Sequence, residues 1–125
     1  LILKFRKTYQ FYEVDVNNEW FNKINDGSKT VEGRLNKGKF NILEPSSYIM
    51  FKNGDGAKVI VKVKDKIEYS SIIDMLKGEG LENVLPGVES LVDGVDVYRK
   101  FYSEDAESSH GVVAIKIEKI NPHLM

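Results

Sequence analysis

The chain has 125 residues, enough for one domain with one core and too few for a second full domain. Its composition, 42% apolar and 30% charged with three prolines and ten glycines, excludes disordered and low-complexity classes, and no run approaches the ~18 apolar residues that span a bilayer. The net charge of −1 hides a split, because residues 1–70 carry thirteen Lys and Arg against nine Asp and Glu, whereas residues 71–125 carry five against ten. A basic first part suits an anionic partner, although interspersed surface charge for solubility gives the same count. Zero cysteines exclude disulfides and thiolate sites, and two histidines, His110 and His123, leave little for a transition metal, so no metal or other cofactor is expected.

The opening Leu1-Ile2-Leu3 is too short for a signal-peptide core and is followed at once by Lys4, Arg6 and Lys7, which reads as an intracellular chain. A first residue that is Leu rather than Met suggests a domain excised or trimmed from something longer, with a flanking domain or protein partner outside it. The run Tyr9–Val16, rich in aromatic and β-branched residues, predicts a strand ending at Asn17-Asn18. Either Asn can cap a short helix over Glu19–Asn25, with Trp20, Phe21 and Ile24 on one side and Gly27 as its left-handed stop. Thr30–Leu35 alternates, so Thr30, Glu32 and Arg34 share one face of a second strand and Val31, Gly33 and Leu35 the other, which should face the core.

Asn36–Lys39 reads as a turn, and a hairpin follows: Tyr48–Lys52, the turn Asn53-Gly54-Asp55-Gly56, and a return strand over Lys58–Glu68. In that strand Val59, Val61, Val63 and Ile67 have one parity, and Lys58, Lys62, Lys64 and Lys66 the other, which predicts a core face and a lysine row. Ser71-x-x-Asp74 resembles a capping box opening a helix that stops at Gly78, and Gly80–Leu85 is a short helical turn ended by Pro86-Gly87. Val88–Tyr102 has near-helical spacing weakened by Asp93-Gly94, which predicts two short pieces; an acidic loop over Ser103–Ser109 and a last alternating strand over Gly111–Ile120 complete the chain. Strands, a helical excursion and a closing strand suggest an α+β fold: a small, mostly antiparallel β-barrel with helices capping one side.

The densest chemistry lies in Gly27-Ser28-Lys29-Thr30-Val31-Glu32-Gly33-Arg34, a helix stop running into a strand. Same-face residues two apart in a strand stand about 6.5 to 7 Å apart, so Glu32 and Arg34 can pair or bracket one ligand, with Lys29 at the mouth. The plainer reading is a surface ion pair worth under about 1 kcal/mol. Among the other motifs, Gly78-x-Gly80 lacks the context of a phosphate loop, Asp93-Gly94-Val95-Asp96 lacks calcium-loop spacing, and His110 beside Ser108 and Ser109 has no strained nucleophile turn. Tyr9, Phe11, Tyr12, Tyr48 and Trp20 could stack bases, or pack in the sheet and core as such residues more often do.

The spacing Gly27-x-Lys29-x-x-Glu32-x-Arg34 resembles the signature of the ASCH domain family, and the hairpin, Leu85-Pro86-Gly87, Tyr98–Tyr102 and the closing Gly111-Val112-Val113-Ala114-Ile115 strand follow in that family's order, covering about residues 11–120. The resemblance implies a barrel similar to the PUA domain, a cleft lined by the signature residues, and a role in RNA metabolism. Most members are proposed RNA-binding modules, some bacterial relatives are small amidohydrolases that deacetylate acetylcytidine, and another is a ribonuclease. The amidohydrolases carry a nucleophilic Thr where this chain has Glu32, and their catalytic Glu falls downstream, where Glu79 and Glu82 both lie. The expectation is therefore an RNA- or nucleotide-binding module using Lys29, Glu32 and Arg34, with Lys62 and Lys64 adding nonspecific attraction. The alternative is a hydrolase in the same cleft, with Lys29 as the activating group and Glu32 as general base. A protein-interaction role for the acidic half is a third reading.

Overall fold

The computed structural model describes residues 10–121; Lys4, Arg6, Lys7, Tyr9 and His123 lie outside them. Five strands, β1 (Phe11–Asp15), β2 (Val31–Leu35), β3 (Tyr48–Lys52), β4 (Lys58–Tyr69) and β5 (Val112–Lys119), form one sheet in the order β1-β3-β4-β5-β2. Three of its neighbouring pairs are antiparallel and β1–β3 is parallel, so the sheet is mixed. It curls into a half-barrel whose edge strands, β1 and β2, face each other without a ladder between them. Side chains bridge this seam instead: Arg34 Nη2 donates to the Asp15 carbonyl at 3.2 Å and Lys39 Nζ to that of Glu13 at 2.7 Å.

The inner face of the curl holds one core, with Val14, Ile49, Phe51, Val59, Val61, Val63, Ile115 and Ile117 from the strands. Helix α1 (Asn18–Asn25) adds Phe21 and Ile24 to that core and turns Trp20 toward a second one. As the sequence predicts, the Asn17 side chain caps α1 at the Trp20 N–H, and Gly27 leaves it at φ +85°. The second core lies outside β2 and β5, where Val31, Val112 and Ala114 meet helices α3 (Ile72–Glu79), α4 (Leu81–Val84) and α5 (Leu91–Arg99). Ser71 caps α3 at the Asp74 N–H, as the capping-box spacing predicts.

Several local expectations are corrected. The turn after β2 runs into a short helix, α2 (Lys39–Ile42). The Val88–Tyr102 segment holds one unbroken helix, α5, because Gly94 is where it packs closest: a Cβ there would stand 2.9 Å from Leu81 and 3.0 Å from Leu76. The acidic loop is helix α6 (Glu104–His110), capped by Ser103, with Glu104 and Asp105 in a first turn whose dipole favours them. The lysine row does not form. A bulge between Val63 and Asp65 inserts Lys64, after which Lys66 is registered with Ile115, on the β5 face shared with Val63's partner Ile117. Lys66 instead donates to the Asn41 carbonyl at 2.8 Å.

Helix α6 is tied down by Glu107, whose carboxylate accepts from the Ile72 N–H at 2.6 Å and from Arg99 at 2.7 Å. Burial pushes the Glu107 carboxyl up, but the Ile72 amide and Arg99 together hold it below the ordinary value of 4.5. A carboxylate with a depressed folded pKa stabilises fully above its unfolded value and loses that contribution as pH falls through the folded one. The melting temperature of the native protein should therefore drop as pH falls below about 4.5, and Glu107→Gln should flatten that acid limb. Identical limbs in the two proteins would remove Glu107 from the account.

Candidate functional site

At the seam between β1 and β2 the sheet opens into a cavity of about 190 Å³, lined by Asp15, Val16 and Asn17 on one side, by Lys29, Glu32, Gly33 and Arg34 on the other, and roofed by α5 and the residues after it. Strand β2 occupies a sheet edge, so its free side faces this space rather than another strand. The alternation expected for β2 is present with a difference. Val31, Gly33 and Leu35 are buried as predicted, yet Glu32 on the opposite face is only 5% exposed.

Lys29, where the chain passes from α1 into β2, is buried, and its ammonium donates to the carbonyls of Val31, at 2.8 Å, and Val84. Its third neighbour is Glu32 Oε1 at 3.6 Å, and the Trp20 ring lies 5.5 Å from Nζ. Two carbonyl acceptors and a nearby carboxylate suit a protonated amine. Burial pushes the Lys29 pKa down, opposed by the Glu32 charge. The other Glu32 oxygen stands 3.5 Å from Arg34 Nη2, so one carboxylate lies between two cations. The Arg34 guanidinium lies 5.0 Å over the Phe40 ring and keeps its side chain 20% exposed, which makes it the accessible charge of the three. Burial works against its charge, but Glu32, Tyr102 and Tyr98 raise its pKa on balance.

Of the aromatic wall, the sequence reading names only Trp20 as a possible stacking residue. Tyr98 and Tyr102, stacked at 6.3 Å, and Phe101, 63% exposed, line the cavity with Trp20. Their i, i+4 spacing was visible and reads equally as packing. Burial raises the Tyr98 hydroxyl well above its ordinary pKa, with Glu32 adding to the effect; burial also raises Tyr102, opposed by Arg34.

The other candidates lie elsewhere. Lys62 is exposed beside Tyr48 and Glu118, and Lys64 sits 4.0 Å from Glu118. Lys64 borders a second, more open cavity of about 490 Å³ that also takes in Thr30, Glu79 and Lys116. Glu79 accepts from the Tyr69 hydroxyl and stands 3.7 Å from Lys116. Glu82 is exposed, so neither glutamate lines the seam cavity. Phe11 and Tyr48 stack on each other at 5.1 Å, away from that cavity. His110 is exposed in the last turn of α6, and among the described residues no group of three or more His, Cys, Asp or Glu is placed to hold a metal ion.

Buried Lys29 and Glu32 and the partly exposed Arg34 are the residues that carry the signature spacing, and the sequence model of the ASCH domain matches residues 14–121. The chain belongs to the ASCH domain family. This ASCH domain resembles the crystal structure of hypothetical protein PH0355 at 46% identity, over 89% of this chain and 100% of that one, with a TM-score of 0.83. It resembles the solution structure of protein PF0455 from Pyrococcus furiosus at 39% identity, over 90% and 99% of the two chains, with a TM-score of 0.74. The crystal structure of ASCH from Zymomonas mobilis is similar in fold, at 14% identity, over 89% and 73% of the chains, with a TM-score of 0.60. None of the curated proteins compared with the chain matches it.

Proposed function

We propose that this ASCH domain is an RNA- or nucleotide-binding module of PUA-like architecture, working inside the cell, whose ligand enters at the β1–β2 seam. The observation that carries this reading is a Lys29–Glu32–Arg34 cluster, buried at Lys29 and Glu32 and reaching solvent at Arg34, that opens onto an aromatic-walled cavity. At about 190 Å³ that cavity is below the roughly 300–1,000 Å³ typical of drug-sized ligands, so it suits one small part of a longer ligand. Arg34, the accessible cation, meets a phosphate or a base acceptor; Lys29, with its donors engaged inside the protein, holds Glu32 in place. Lys62 and Lys64 contribute diffuse attraction along the backbone of a longer strand.

A hydrolase in the same cleft is the second reading, favoured by the lowered Lys29 pKa beside a carboxylate. Against it, the two carbonyls and the carboxylate around Lys29 suit an ammonium rather than a free amine, and Thr30 is exposed and lines the other cavity.

Short single-stranded RNA should bind with an affinity that falls as salt rises, Arg34→Ala should weaken it, and Lys62→Ala with Lys64→Ala should flatten the salt slope. An unchanged slope in the double variant would take those two lysines out of the interface. Incubating wild type and Lys29→Ala in parallel with acetylcytidine and labelled RNA separates the two readings. Turnover by the wild type that vanishes in a folded Lys29→Ala would establish the enzyme.

A further inference from the structure

Helix α2 is only one turn long, yet it is fastened to three strands or their ends. Lys39 Nζ donates to the Glu13 carbonyl of β1 at 2.7 Å, and the Asn41 side chain donates to that of Asn36, just past β2, at 2.9 Å. From β4, Lys66 Nζ donates to the carbonyls of Asn41, at 2.8 Å, and Phe40, at 3.4 Å, which a helix end would otherwise leave open. Leu43, directly after the helix, is fully buried in the first core. These ties hold α2 in place beside the seam.

What α2 brings there is Phe40. Its ring is half-buried against the first core and lies 5.0 Å from the Arg34 guanidinium carbon. Arg34 is the accessible cation of the signature cluster, and an arginine that reaches solvent ordinarily keeps much of its rotamer freedom. Here Nη2 directs one N–H to the Asp15 carbonyl at 3.2 Å and the other to Glu32 at 3.5 Å. Those contacts fix one edge of the guanidinium. The Phe40 ring attracts its charge and restricts its swing, which leaves the Nη1 and Nε positions for Tyr102, which also acts on Arg34, and for a ligand. A guanidinium held this way offers paired donors in a set geometry to a phosphate or a base edge, whereas a mobile one supplies little beyond charge.

We infer that Phe40 is a positioning residue of the RNA site, holding the Arg34 guanidinium in the orientation that meets the ligand at the seam cavity. This rests on the RNA-binding reading above and adds a residue that neither belongs to the signature nor lines the cavity. Phe40 acts through Arg34 and need not touch the RNA.

The test measures affinity for short single-stranded RNA homopolymers of each base in the wild type, Phe40→Leu, Phe40→Tyr, Arg34→Ala and the double variant of Arg34→Ala with Phe40→Leu. In isotope-labelled protein the Arg34 Nε–H resonance, assigned by its loss in Arg34→Ala, reports the order of the side chain without any RNA. Melting curves check that each variant is folded at the assay temperature, and Phe40→Met, closer in volume, replaces Phe40→Leu if leucine is not tolerated. Phe40→Leu should lower affinity for the preferred homopolymer by about fivefold, and Phe40→Tyr, which keeps the ring, should bind as the wild type does. In the Arg34→Ala background Phe40→Leu should cause no further loss, and the Arg34 resonance should move or broaden in Phe40→Leu but not in Phe40→Tyr. Equal affinity of wild type and Phe40→Leu, the same loss with and without Arg34, or an Arg34 resonance unchanged by Phe40→Leu would each overturn the inference while leaving RNA binding standing. If Arg34→Ala abolishes binding, the resonance decides. Absence of any RNA binding by the wild type would overturn both.

Discussion

Glu32→Ala lowers the unfolding free energy by about 3–5 kcal/mol, because it leaves two cations beside an empty position from which water is largely excluded. Lys29 is 3% exposed and loses the carboxylate 3.6 Å from its ammonium, while Arg34 loses the carboxylate 3.5 Å from its guanidinium. Glu32→Gln keeps the volume and an acceptor oxygen and should cost markedly less. Urea unfolding with linear extrapolation measures both. A loss within about 0.5 kcal/mol for the alanine variant would mean that the cluster behaves as an exposed ion pair.

The second large effect is expected at Gly33. Its backbone needs no glycine for conformational reasons, since its φ is not positive. Space is what requires it: a Cβ would lie 2.6 Å from the Tyr98 oxygen and 2.7 Å from Met75 Sδ and Cε. Met75 can adjust, but the Tyr98 ring is buried among α3, α4 and α5 and stacked on Tyr102, so it moves only by disturbing them. Gly33→Ala should cost about 1–3 kcal/mol in overpacking. Combining it with Tyr98→Phe removes the closest clash, so the double variant should recover part of the stability lost. Strict additivity of the two changes would show that the tyrosine oxygen is not what the methyl group meets.

Most of the fold was legible because each element carried its own local signal. Asn17 and Gly27 bounded α1, Ser71-x-x-Asp74 opened α3, alternation marked β2, β4 and β5, aromatic and β-branched content marked β1, and the turn at Asn53-Gly54-Asp55-Gly56 marked β3. The failures have physical causes of the opposite kind. Gly94 argued for a break in α5, but tertiary packing against Leu76 and Leu81 overrode helix propensity there. The lysine row followed from parity alone, and parity cannot see a bulge such as the one at Lys64. Within the site, the Lys29, Glu32 and Arg34 positions were marked by their spacing, whereas their burial depends on Trp20, Val84 and Tyr98 arriving from three separate segments. Tyr98 and Tyr102 gave no distinguishing signal, because an aromatic that packs and one that lines a cavity share the same helical spacing.

The placement of β2 at a sheet edge also bears on the order in which the molecule is made. Among the described residues, the strand partner of β2 is β5, and Glu32 is registered with Ile115, eighty-odd positions further along the chain. Strand β1 likewise waits for β3, and Lys29 waits for the Val84 carbonyl. During synthesis from the N-terminus, β2 thus emerges long before the strand that holds it, carrying two charges that will end in a low-dielectric seam. Loop-closure entropy makes such distant pairings late, so the β3–β4 hairpin and α1 can organise first while the Lys29–Glu32–Arg34 cluster stays hydrated. The seam cavity is then the last part of the domain to mature, and a nascent chain stalled before Val112 would present the signature residues without the cavity they line.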